Sequence, residues 1–146
     1  MSFVGDLKEG KEFEHTVLEI VRQRYPTESW EINTEKKGVD IVSSSSTKTI
    51  EVKFDRMASK TWNLFIEVEC NGKPSWINAY ENMDVYAYGT QNKIFLFNTK
   101  KLRSAINTTN FRRVKGWDWW RVTWVLIPIT IGEKLASKII TYDSKN

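Results

Sequence analysis

The chain has 146 residues, a net charge of +4 and a sequence pI of about 9.1. Hydrophobic residues at 40% and charged residues at 27% exclude a disordered chain, and a single cysteine, Cys70, excludes an intrachain disulfide and suits a reducing cytoplasm. No run of about 18 apolar residues is present to span a membrane, and no apolar stretch follows a basic start as in a signal peptide, so the expected location is the cytoplasm. Mild basicity fits a nucleic-acid partner and many other partners equally.

The expected organisation is one α/β domain over residues 1–146, with a mainly antiparallel or mixed sheet flanked by helices. Residues 6–25 read as an amphipathic helix on Leu7, Gly10, Val17, Leu18, Val21 and Tyr25, with Asp6 as N-cap and Pro26 as the stop. Glu14 falls on that apolar stripe, whereas Glu12 and Glu19 point away from it. A carboxylate on a buried face needs a partner or a task. Trp30–Ile32 reads as an edge strand, followed by a polar loop over Asn33–Lys37. Val39–Val42 and Thr49–Phe54 read as a hairpin around a serine-rich turn. A turn centred on Ser45-Ser46 pairs residue 42 with 49, 41 with 50 and 40 with 51. Asn63–Cys70 is a third strand with Leu64, Ile66, Val68 and Cys70 on one face, and Asn71–Pro74 is a turn. Asp84–Tyr88 and Lys93–Phe97 are further strands, Thr99–Ile106 a short helix, Trp119–Ile129 a strand-forming stretch and Ile131–Tyr142 a closing helix.

The hairpin register sets Asp40 opposite Glu51, about 5 Å apart at Cβ. Lys53 follows two residues later on the face of Glu51. Two facing carboxylates suit a hard cation such as magnesium, which takes oxygen ligands and keeps several waters. The carbonyl of Val52 is a natural third ligand. A cation there lowers the pKa of a water beside it and neutralises charge on a scissile phosphate. Lys53 is placed to orient that water or to stabilise the pentavalent phosphate, and Glu14 to orient either. The bland alternative is a solvated strand face, the usual reading of an acid and a lysine two residues apart.

Glu14 on a first helix, then Gly38-Val39-Asp40, then Ile50-Glu51-Val52-Lys53, resembles the PD-(D/E)XK nuclease superfamily. Asp55-Arg56, Lys60-Thr61-x-Asn63, Glu67 on the next strand, Asp84-Val85-Tyr86-x-Tyr88 and the Lys101-Leu102-Arg103 helix are similar to small nucleases of phage type, so the likeness runs from about residue 8 to 106. Val39 stands where the motif that names the superfamily has proline. The resemblance implies a restriction-endonuclease-like core, phosphodiester hydrolysis, Asp40 and Glu51 as metal ligands, Lys53 as the catalytic lysine and Glu14 as the first-helix acid.

The remaining candidates carry less. His15, the only histidine, points away from Glu14 and reads as a surface residue, and one His with one distant Cys gives neither a zinc site nor a Cys-His pair. No glycine-rich phosphate loop is present, so no nucleotide cofactor is expected. Lys60, Thr61 and Asn63 stand where they would contact DNA or cap the third strand. Arg112, Arg113 and Lys115 lead into a tryptophan-rich stretch, a pattern that suits phosphate contact and base stacking as well as a basic turn beside core tryptophans. The tryptophans at 117, 119, 120 and 124 exceed what one strand face buries, which points to a homodimer interface; a two-fold dimer supplies two active sites. The expected function is a DNA endonuclease that uses magnesium, with manganese as a substitute, acting in a host cytoplasm if phage-encoded. A junction-resolving or other structure-specific nuclease is the nearest rival. A restriction endonuclease and a DNA-binding protein without catalysis stand further off.

Overall fold

The computed structural model describes residues 3–34, 39–75, 84–117 and 121–142. In chain order the elements are α1 (Phe3–Arg24), β1 (Trp30–Ile32), β2 (Ile41–Ser43), β3 (Thr49–Phe54), α2 (Ala58–Thr61), β4 (Asn63–Cys70), β5 (Lys73–Pro74), β6 (Val85–Gly89), β7 (Lys93–Asn98), α3 (Thr99–Thr108), β8 (Arg112–Trp117), β9 (Arg121–Pro128), α4 (Ile129–Leu135) and β10 (Lys138–Thr141). The expected class holds: an α/β fold with a mixed sheet flanked by helices. A six-stranded sheet runs β1-β2-β3-β6-β7-β10, with β3 and β6 parallel and its other neighbours antiparallel. Among the described residues no helix is long and apolar enough to cross a membrane.

Several expectations change. The third predicted strand, β4, leaves that sheet and forms a second, antiparallel one in the order β5-β4-β9-β8. Its apolar face, Leu64, Ile66 and Val68, packs with Val125 and Ile127 of β9 onto Tyr86, Tyr88, Phe95 and Phe97 of the first sheet. An alternating strand must cover its apolar face, and face-to-face stacking does so as well as edge pairing. The basic segment Arg112–Lys115 is itself strand, in β8 at the edge of the second sheet. The closing helix over Ile131–Tyr142 is not formed: α4 ends at Leu135, and Lys138–Thr141 pairs with β7. Ile139, Ile140 and Thr141 are β-branched and favour a strand, and the pairing buries Ile140. Lastly, α1 begins at Phe3, so Asp6 lies inside the helix and is not its N-cap. The first hairpin strand is also displaced slightly, to Ile41–Ser43.

Helix α1 covers the other face of the six-stranded sheet. Phe13, Val17, Leu18 and Val21 pack with Trp30, Ile41, Ile50, Val52, Ala87 and Ile94. Phe13, absent from the expected stripe, is its anchor, whereas Tyr25 at the far end is 40% exposed. The Phe13 ring lies 5.1 Å from that of Phe54 and 6.0 Å from that of Tyr142. It reaches them by crossing Gly89, where a Cβ would stand 1.9 Å from Phe13 Cζ. The serine turn is held from outside by Glu28, whose carboxylate accepts hydrogen bonds from Ser43 Oγ (2.5 Å), Ser46 Oγ (2.7 Å) and Ser45 Oγ (3.2 Å). The bonds from Ser43 and Ser46 above all hold the Glu28 carboxyl down at about 2.

Because Gly89 is buried and the Phe13 ring sits between two aromatic neighbours, Gly89→Ala should act as overpacking. The expected cost is about 1–3 kcal/mol, a fall of about 3–10 °C in melting temperature by calorimetry. A wild-type melting temperature would show that Phe13 is not locked in place.

Candidate active site

The ladder between β2 and β3 pairs Ile41 with Ile50 and Val42 with Thr49, the register expected from the sequence. It stops there. Asp40 N–H donates to the Ile50 carbonyl (3.0 Å), and Asp40 Oδ2 accepts the N–H of Val52 (2.8 Å). The Asp40 side chain thus takes over where a strand backbone would have continued. In an extended strand the N–H and C=O of one residue point to the same side, so the Val52 carbonyl also faces toward Asp40.

Three of the four predicted catalytic residues meet at this point. Asp40 shares side-chain hydrogen bonds with both Glu14 and Glu51. Glu14 arrives from α1, which packs on the Ile50/Val52 face of β3, and Glu51 projects from the opposite face. Asp40, at the sheet edge, bridges them. Glu51 is only 4% exposed. Burial first, then the hydrogen bond and charge of Asp40, push its carboxyl up to about 10, with Lys53 opposing the shift. The same two influences raise Glu14 to about 7. Lys53, two residues beyond Glu51 on the same strand face, is the fourth member and is half-buried. Gly38 of the motif lies outside the described residues, as do 35–37 of the expected polar loop.

The donor set fits a magnesium-like ion. Clustered acids that hold on to protons are acids short of a counter-charge, and Asp40, Glu51 and the Val52 carbonyl offer hard oxygen ligands from adjoining backbone. Among the described residues no three acidic, imidazole or thiol side chains are disposed to ligate one ion together. Magnesium does not require three, since it takes one or two carboxylates and keeps several waters.

Other acids surround the cluster. Asp55 continues the Glu51, Lys53 alternation. Its Oδ1 accepts the N–H of Met57 (2.9 Å) at the start of α2, and its Oδ2 accepts the Tyr88 hydroxyl (2.5 Å). Tyr88 Oη in turn accepts the N–H of Phe65 (2.9 Å) on β4, joining the end of β3 to the second sheet. Burial holds the Tyr86 phenol well above its usual range, and the charges of Glu51, Glu67, Asp40 and Asp55 add to this, so Glu67 belongs to the same acidic surroundings.

Beside the cluster runs a groove of about 940 Å³, lined by Glu14, Lys53, Arg56 and Met57 and, across from them, Phe65 and Trp124. The sequence assigns Phe65 no role and places Trp124 only among the tryptophans of a candidate interface. The alternation of β4 and β9 could have shown that both stand on the face away from the core. Thr61 lines the groove too, but Thr61 and Asn63 also hold each other: Asn63 Nδ2 donates to the Thr61 carbonyl (2.9 Å) and Asn63 N–H to Thr61 Oγ1 (3.3 Å). Lys60 is exposed, and so are Arg112, Arg113 and Lys115 on β8; His15 is exposed as expected. Trp119 and Trp120 lie outside the described residues. A second hollow, about 560 Å³ between Tyr25, Glu28, Trp30, Lys48, Asp84 and Lys100, contains none of the predicted catalytic residues. Comparison with family models, with curated proteins and with solved structures finds no match.

The raised carboxyls carry a stability consequence in metal-free protein. Both bind protons more tightly in the folded chain than at the ordinary value of 4.5, so folding stability falls as pH rises above that value. The loss from Glu14 develops between 4.5 and about 7, and that from Glu51 between 4.5 and about 10. In EDTA the melting temperature should fall from about pH 5 to about pH 9, and Glu51→Gln should fall less and melt higher at the alkaline end. Parallel curves for the two proteins would show that Glu51 is not buried against other acids.

Proposed function

We propose that the protein is a divalent-metal-dependent DNA endonuclease of PD-(D/E)XK type, with Asp40, Glu51 and Lys53 at its centre and Glu14 beside them. The observation that carries this reading is the convergence of Glu14, Asp40 and Glu51 from three separate elements on one point of the sheet edge, with Lys53 next along the strand. A solvated strand face has no reason to bury Glu51 or to draw a helix carboxylate around the sheet edge toward it.

Asp40 and Glu51, with the Val52 carbonyl, would hold the cation, magnesium or manganese. A cation held there would supply neutralisation of phosphate charge and activation of water. Lys53 contributes a fixed ammonium group. It orients a water for attack on phosphorus and stabilises the negative charge that grows on the phosphoryl oxygens. Glu14 positions the cluster through its hydrogen bond to Asp40 and takes up a proton near neutral pH, the range in which a general base works. The exposed Lys60, Arg112, Arg113 and Lys115 supply positive charge that suits a phosphate backbone.

Glu51→Gln, Asp40→Asn and Lys53→Ala should each lower magnesium-dependent nicking of plasmid DNA by at least about 100-fold, the scale of losing one preorganised electrostatic contact, with circular dichroism unchanged. Glu12→Ala, on the exposed side of α1, should leave the rate near that of wild type. Calcium should support DNA binding with little cleavage, because its looser coordination positions water poorly. Full activity in EDTA, or wild-type rates from the folded variants, would overturn the reading.

A further inference from the structure

Phe65 and Trp124 raise a question that a phosphate-cutting centre does not answer. They leave β4 and β9 on the face opposite the core residues Leu64, Ile66, Val125 and Ile127. Both are half-buried, and both line the groove that contains Glu14 and Lys53. Their rings meet edge to face, 6.5 Å apart at 74°. Behind Trp124 stands Gly116 of β8, where a Cβ would lie 2.3 Å from Trp124 Cζ3. The indole therefore rests directly on backbone at a position that leaves no room for a larger residue. Backed by Gly116 and braced at its edge by Phe65, the ring is held in place before any ligand arrives.

Stacked bases in a duplex present only their edges to a protein, and their faces are covered by neighbouring bases. A fixed aromatic ring beside a phosphodiester-cutting centre meets a base face only when the strand is unpaired. The groove, about 940 Å³, brings these rings and Lys53 to one surface. Lys11 and Lys53 line it along with the aromatic wall, so a strand can lay its phosphates toward the lysines and its bases toward the rings.

We propose that Phe65 and Trp124 form a base-stacking platform, and that DNA enters this groove as a single strand. The inference rests on the nuclease reading and specifies its substrate. A flap, a frayed end or the opened arm of a junction presents such a strand; an intact duplex does not.

The test is equilibrium binding, by fluorescence anisotropy, of end-labelled oligothymidylate and of a blunt duplex of equal length, in calcium so that binding is read without cleavage. Wild type should prefer the oligothymidylate. Trp124→Ala should weaken that binding about five- to hundredfold and change duplex binding less than about twofold, and Trp124→Phe should restore most of the loss. Gly116→Val, which pushes the ring from its seat, should reproduce the selective loss and decides the matter if Trp124→Ala fails to fold. Equal losses on both DNAs, or no loss on oligothymidylate, would overturn the platform. Plasmid nicking by wild type in magnesium scores the catalytic reading separately: an active enzyme without the selective loss has the centre but not the platform, and an inactive protein with it has the platform alone.

Discussion

One hydrogen bond organises the candidate site: the N–H of Val52 given to the Asp40 carboxylate instead of to a strand carbonyl. Had β2 run on in register, backbone would occupy that place and the Asp40 side chain would project from a sheet face. Because the ladder ends at Ile41 and Ile50, the carboxylate folds back along the edge of β3. There it can touch a residue from each face of the sheet, Glu14 on the helical side and Glu51 on the other. Acids this close repel one another, and they persist in the fold only because protons or a cation offset the repulsion.

The second sheet gives this edge its surroundings. The link from Asp55 through the Tyr88 hydroxyl to the Phe65 N–H ties the end of β3 to β4 beside the groove. Such a chain of part-buried hydrogen bonds is costly to leave half-made. The acidic cluster and the aromatic wall are therefore held in register by shared polar contacts as well as by the apolar core between the sheets.

Much of this was legible in the sequence where the signal is local. The turn centred on Ser45-Ser46 gave the register of β2 and β3, though not the end of their ladder before Asp40 and Glu51, and the place of Glu14 among apolar helix residues marked it as different from Glu12. The alternation of Asn63–Cys70 gave the bounds of β4 to the residue. What failed was non-local. Alternation says that Leu64, Ile66 and Val68 must be covered, but not whether by an edge or by a face, so the second sheet went unseen. The run from Ile131 has helical and strand propensity in succession, and only the bare edge of β7 decides for a strand at Lys138–Thr141. Arg112–Lys115 lacks the apolar pattern of a buried strand, because an edge strand need not have one. Glu28 was invisible as the organiser of the serine turn, since it lies well before that turn in the chain.

The place of β10 also bears on how the molecule comes into being. β7 is synthesised well before its outer neighbour, and until Lys138–Thr141 arrives its row of N–H and C=O groups is open to any passing strand. β3 and β6 are parallel, so their pairing waits for the whole connection through α2, β4 and β5. Contacts so distant in sequence form slowly, and a slow, half-built sheet is prone to aggregate. The strand that completes the sheet therefore replaces a six-residue edge with a four-residue one that opens on Lys138, a poorer template for further pairing: a nascent chain halted before residue 138 would carry every residue of the candidate site and still expose the longer edge of β7.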